Sequence, residues 1–191
     1  MSIAEKLVAI AEKMQEIYSL KDKKPYINTS EIKSFAYFNM EGTRTAVLDK
    51  LYTSNGTNFY QFSVGATNLV TVDLDFSKAT QMYQAFANCT ALETVVYLDF
   101  SSISWGSSNL SAMFTGCTAL KNVTMKPNHL KANISFSACS LLTDESIQSI
   151  INGLGTNVGA RKITLHADVY NKLTEEQFSI IASIGWEVVS A

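Results

Sequence analysis

The sequence predicts an α/β fold: a short solenoid whose turns pair into a parallel sheet, preceded by a coiled-coil-like helix and closed by a helical cap. Three observations predict it. The motif Phe-x-x-Cys-Thr/Ser-x-Leu recurs three times in the middle of the chain. An apolar heptad opens the chain, and helix-capping signals frame its last 48 residues. Composition agrees with a repetitive, β-rich protein. Hydrophobic residues make up 47% of the 191 residues, enough for a real core, while charged residues are only 17%, against about 25% in an average soluble domain. Ser, Thr and Asn, with 21, 17 and 13 copies, fill the difference.

The first element is residues 1–24. Apolar residues fall at Ile3, Leu7, Ile10, Met14 and Ile17, in steps of four and three, the seam of a coiled coil. Leu7 and Met14 take position a; Ile3, Ile10 and Ile17 take position d. That choice disfavours a dimer and leans toward three or more strands. An isolated helix of about four turns is marginal, so the segment needs a partner surface. The expected partner is another copy or a larger assembly; the alternative is an amphipathic helix lying on its own domain. Lys21-Asp22-Lys23-Lys24-Pro25 stops the helix. Glu5, Lys6, Glu12 and Lys13 interrupt any apolar stretch a secretory signal would need. No run reaches the roughly 18 apolar residues that span a bilayer. The expectation is no membrane insertion and no signal-led export: the protein stays in the cell or leaves within a particle. Residues 25–61 are expected to cap the N-terminal end of the stack, with Asn55-Gly56 as a tight turn.

Residues 62–143 carry the repeat. The copies are Phe86-Ala87-Asn88-Cys89-Thr90-Ala91-Leu92, Phe114-Thr115-Gly116-Cys117-Thr118-Ala119-Leu120 and Phe136-Ser137-Ala138-Cys139-Ser140-Leu141-Leu142. A degenerate earlier copy, Ala66-Thr67-Asn68-Leu69, has Ala66 in the cysteine slot. Each Leu is followed three residues later by Val in the pairs Leu69/Val72, Leu92/Val95 and Leu120/Val123, then by an apolar residue at Leu74, Tyr97 and Met125. This is a leucine-rich pattern with a period in the solenoid range. One turn cannot bury its apolar edge alone; stacked turns lay Leu on Leu, Val on Val and Phe on Phe. The Val-x-apolar alternation marks a short strand, and successive strands pair in parallel. Asp75-Phe76-Ser77 and Asp99-Phe100-Ser101 lie 24 apart while Thr67 and Thr90 lie 23 apart. The extra residue predicts a bulge over Val96–Leu98, with Tyr97 or Leu98 turned inward.

Phe-x-x-Cys-Thr-x-Leu followed by x-x-Val resembles the BspA-like leucine-rich repeat of bacterial surface proteins and of phage and prophage proteins. The opening Ser2-Ile3-Ala4-Glu5-Lys6-Leu7 is similar to the first helix of phage-encoded members. The segments Ile163-Thr164-Leu165-His166 and Tyr170 through Glu176, with Gly185-Trp186-Glu187-Val188, are similar to their C-terminal cap. The resemblance implies a non-enzymatic structural or adhesive component of a phage or prophage particle, on tail, baseplate or head. Its partners would be itself, as a trimer or larger, other particle proteins, and a host surface protein or glycan. Only three clear copies are present, fewer than in secreted adhesins. The alternatives are a bacterial cell-surface interaction module exported by another route, or an intracellular protein-binding repeat.

Residues 144–191 form the expected cap. Thr143-Asp144-Glu145 opens a helix through Ile147, Ile150, Ile151 and Leu154, stopped by Gly155. Arg161–Leu165 reads as a last strand. Thr174-Glu175-Glu176-Gln177 is a capping box leading Phe178, Ile181 and Ala182 on one face, with Gly185 at C′ and Trp186 packing beyond it.

The remaining question is chemistry. Only Arg44 and Arg161 accompany 13 Lys, and the net charge is −2, which leaves no clustered positive charge for nucleic acid. There is no phosphate loop and no His-Glu-x-x-His, so no catalytic residue, metal site or cofactor is assigned. A slot that takes Ala66 or Cys wants a small apolar group, so Cys89, Cys117 and Cys139 read as buried thiols; a disulfide or a metal ladder is the other reading. The candidate binding surface is the outward row Thr71, Asp73, Thr94, Asn122, Thr124 and Thr164, joined by Trp105 in the longest inter-repeat loop. Such faces bind proteins or glycans in solenoids, or are plain solvated surface.

Overall fold

A computed structural model describes residue 29 and residues 31–38, 47–49, 51–104, 110 and 112–191. The heptad residues Ile3, Leu7, Ile10, Met14 and Ile17, and Trp105, lie outside the described residues. The fold is mixed α/β with two small parallel sheets and a few helices.

The first sheet contains β1 (Val47–Leu48), β2 (Thr71–Val72), β3 (Thr94–Leu98) and β4 (Asn122–Met125), hydrogen-bonded in sequence order. All pairings are parallel, and one rung runs Val47–Thr71–Thr94–Asn122. The strands are short because each copy offers one inward Val and one further inward residue before the chain turns. Val72, Val95 and Val123 are buried, as are Leu69, Leu92 and Leu120 just before the rungs. The register shifts between Val95 and Leu98, and Leu98 pairs with Met125. The bulge is therefore where the extra residue placed it. Leu98 is the inward residue and Tyr97 faces out.

A second ladder runs through the motif segments. Asn58 bridges Ser34 and Gln81 in parallel. The amides of Phe35, Tyr37, Phe59, Gln61, Ser63 and Gly65 donate to the carbonyls of Asn58, Tyr60, Gln81, Tyr83, Ala85 and Ala87. Residues expected only to cap the N-terminal end thus pair in the same way as the copies that follow. The Asn55-Gly56 turn is present, closed by the Gly56 amide on the Thr53 carbonyl at 2.7 Å. Gly116 sits at φ +74°, where a Cβ would lie 2.6 Å from Asn88 Oδ1; the turn needs glycine for both reasons.

The core is a single apolar cluster. Phe86 stacks on Phe114 at 5.9 Å and Phe114 on Phe136 at 5.2 Å between ring centroids. The degenerate copy has Ser63 in the Phe slot, and Phe62 beside it makes the aromatic contact, edge-on to Phe86 at 6.2 Å.

Phe136 lies in β5 (Ile134–Phe136), which opens the second sheet; β6 (Arg161–Leu165) and β7 (Trp186–Ser190) follow in order, all parallel. β6 is therefore the middle strand rather than the last. Three helices accompany it: α1 (Asp144–Gly153), α2 (Ala167–Tyr170) and α3 (Glu175–Ser183). Thr143 caps α1, accepting from the Ser146 amide. The capping box of α3 is complete: Thr174 Oγ1 accepts from the Gln177 amide at 3.2 Å and Gln177 Oε1 from the Thr174 amide at 3.0 Å. Ile181 is buried and Phe178 half-buried, but Ala182 is exposed because the helix buries only a narrow stripe. Gly185 follows the C-cap at φ +85°, and buried Trp186 donates its indole N–H to the Gly155 carbonyl at 2.8 Å.

Helix α1 also closes the first sheet. The amides of Val123 and Met125 on the free edge of β4 donate to the hydroxyls of Ser146 and Ser149, both at 2.9 Å. Ser146 in turn donates to the Lys121 carbonyl at 2.8 Å. Two serine side chains stand in for a next strand, which leaves less open edge for another chain to pair with.

Candidate binding surface

The interior offers little reactivity. Cys89, Cys117 and Cys139 are free and buried. Cys89 donates its S–H to the Ser63 carbonyl at 2.9 Å and Cys117 to the Phe86 carbonyl at 3.0 Å. Each thiol thus fills a small slot in the core, and those of Cys89 and Cys117 tie their turns to the ones before. Burial pushes the Cys89 and Cys139 thiols up to about 12. Burial, then the neighbouring thiols, pushes Cys117 up as well. A thiol that holds its proton this firmly is a poor nucleophile and a poor metal ligand. Among the described residues, no three His, Cys, Asp or Glu side chains gather in a way that could hold a metal ion. His166 caps α2, its Nδ1 accepting from the Asp168 amide at 3.2 Å, and His129 lies in the turn after Pro127.

The outward face of the first sheet gathers part of the expected row. Thr71, Thr94 and Asn122 are register partners, and Asn122 Nδ2 donates to Thr94 Oγ1 at 3.2 Å. Asp73 and Thr124 are exposed beside them. Thr164 is elsewhere: it pairs with Ser135 and Val189 in the second sheet, because the first sheet ends at β4. The bulge adds two apolar residues to the face, Val96 at 38% and Tyr97 at 43% exposure. Its rim is charged. Lys121 pairs with Glu93 at 3.2 Å. Asp99 accepts from Lys126 Nζ at 2.9 Å, from the Ser101 amide at 2.8 Å and from the Ser101 hydroxyl. Burial raises the Asp99 carboxyl, but the Ser101 and Lys126 hydrogen bonds together outweigh it and hold the group below the ordinary value.

A second surface escaped the sequence reading. Tyr37, Tyr60 and Tyr83 form a column, with ring centroids 5.3 Å and 5.4 Å apart. Beside it Gln61 Nε2 donates to Gln84 Oε1 at 2.7 Å. The signal was present in part: Tyr60 and Tyr83 share a register position 23 residues apart, whereas Tyr37 aligns with Gln61 and Gln84, because Ser34 and its bridge partner Asn58 are 24 apart. It went unread because the motif was aligned on its inward residues. Among the described residues no helix is long and apolar enough to cross a membrane. Comparison of the chain with protein-family models, characterised proteins and solved structures finds no match to any of the three.

Proposed function

We propose that this chain is a short leucine-rich-repeat solenoid of the BspA-like, phage-encoded kind, a structural and adhesive part of a phage or prophage particle. On this reading residues 1–24 assemble the subunit, with Ile3, Leu7, Ile10, Met14 and Ile17 as the seam. The stacked copies then present an outer surface to a host or particle partner. The observation that carries it is the rung Thr71–Thr94–Asn122: motif copies set side by side expose a polar row over an apolar interior.

Sedimentation equilibrium on the full chain tests the assembly. A trimer or larger is expected, and deletion of residues 1–20 is expected to give a folded monomer. A monomeric full chain overturns the assembly role, and loss of folding on deletion assigns the helix to the core instead. Antibody labelling of released particles tests the location; labelled tails or heads are expected, and label confined to the host envelope or cytoplasm overturns it.

A further inference from the structure

The sheet face and the tyrosine column are two different outer surfaces, and they differ in chemistry. The sheet face is rimmed by the ion pairs Lys121–Glu93 and Lys126–Asp99. The column consists of phenols and carboxamides. Burial first, then the phenols of Tyr37 and Tyr83, raises the Tyr60 hydroxyl; no carboxylate or ammonium group contributes to that shift. Tyr60 and Tyr83 are stacked at 20° between ring planes, so each covers one face of the other and turns an edge outward. Tyr37 is tilted 60° from Tyr60 and is 61% exposed, the largest exposure among the described large hydrophobic residues.

The backbone beneath is costly. Tyr37, Gln61 and Gln84 hold φ values of 56°, 50° and 52°, the left-handed region that penalises any residue with a Cβ. The fourth such turn carries Ala112, which has neither a ring nor an amide. Gly65 and Gly116 meet the same demand four residues after Gln61 and Ala112 with glycine. At 61 and 84 the chain instead keeps long amide side chains, set in line with the phenols.

We infer that the column of Tyr37, Tyr60 and Tyr83, flanked by Gln61 and Gln84, is a binding site for a neutral oligosaccharide. The exposed Tyr37 ring offers an apolar platform for the C–H face of a sugar. The hydroxyl-bearing edges and the amides offer uncharged donors and acceptors for sugar hydroxyls. The ring spacing is comparable to the length of one pyranose unit, so a chain of a few sugars lies along the column with successive units in register. A protein partner would call instead for a desolvated anchor pocket, and an anionic polymer for clustered positive charge; among the described residues the column shows neither. The inference rests on the surface-presenting role proposed above and names the chemistry of its ligand.

The test uses the full chain against maltohexaose, cellohexaose and the hexamer of N-acetylglucosamine, with hexagalacturonate as the charged control, by NMR titration and calorimetry. Saturable binding of at least one neutral hexamer is expected. Tyr37→Ala and Gln61→Ala should each weaken it about tenfold or more. Glu176→Gln, exposed on the cap helix, should leave it unchanged. Melting curves recorded for every variant separate lost binding from lost folding, and Tyr37→Phe, which keeps the platform, should retain most of the affinity. No binding of any neutral hexamer at millimolar concentration, binding of the polyanion alone, or full affinity in the Tyr37→Ala/Gln61→Ala double variant overturns the inference. The mass measurement is independent: a trimer that binds no sugar sinks the site and leaves the structural role, and a monomer that binds sugar does the reverse.

Discussion

In the first sheet β2, β3 and β4 set the same inward valine side by side, whereas in the second the apolar–polar–apolar match of Ile134-Ser135-Phe136 with Ile163-Thr164-Leu165 is not carried on into β7. Val72, Val95 and Val123 occupy one slot, and Phe86, Phe114 and Phe136 another. Beyond Phe136, the structure is held by contacts made once: the Ser146 and Ser149 hydroxyls on the edge of β4, the Thr174–Gln177 box, and the Trp186 indole on Gly155. The lesson concerns tolerance. A slot in a column demands a size and shape, and several residues satisfy it, as Ala66 and the cysteines do. A contact made once demands a particular atom.

The largest effect should come from opening the column at its centre. Phe114 stacks on both neighbours and is buried, so Phe114→Ala removes two ring contacts and leaves a cavity. A loss of about 3–5 kcal/mol is expected from urea unfolding; a loss below about 1 kcal/mol would mean the column does not organise the core. Next is the single contact. Ser146→Ala leaves the buried Val123 amide without its partner and takes one of the two hydrogen bonds from the Lys121 carbonyl, which keeps the Thr143 amide, and should cost about 1–3 kcal/mol. Ser146→Thr, which keeps a hydroxyl, should recover part of it, and equal losses in both variants would refute the edge-closing role.

A smaller effect is expected from acid. Asp99 is held below the ordinary carboxylate value in the folded state, so it adds stability above its unfolded value and loses that contribution as pH falls through the folded one. The urea midpoint should drop between about pH 5 and pH 2, and Asp99→Asn should flatten that drop; an unchanged profile would remove Asp99 from the account. The smallest effect belongs to the tolerant slot. Cys89→Ala matches Ala66 and should cost about 1 kcal/mol or less. In the native protein all three thiols should resist a disulfide reagent at mildly alkaline pH and react once guanidinium unfolds the chain. Rapid native reaction would contradict their burial.

Much of this was legible in the residues. Leu-x-x-Val at Leu69, Leu92 and Leu120, the last two after Phe-x-x-Cys, predicts the rungs, and one extra residue between Asp75 and Asp99 predicts the bulge. Local capping chemistry predicts α1 and α3, since Thr143, Thr174 and Gly185 act on their own neighbours. Other features were not legible. Two-residue β1 and three-residue β5 are too short to show alternation, and β7 follows a helix end that already accounts for Gly185 and Trp186. Thr164 looked like one more outward residue of the first sheet, and only the closure of β4 by α1 shows that it belongs to another.

The sequence by itself determined which residues recur and so which are buried together, because the recurring motif and its fixed inward spacing are properties of the chain alone. Tertiary structure decided what those columns meet: Leu98 rather than Tyr97 inside, serine hydroxyls rather than a fifth strand on β4, and three tyrosines brought within 5.4 Å of their neighbours. Pattern specifies what must leave water, but the partner of a polar atom or an outward ring is set by whichever element packing brings within a few ångströms.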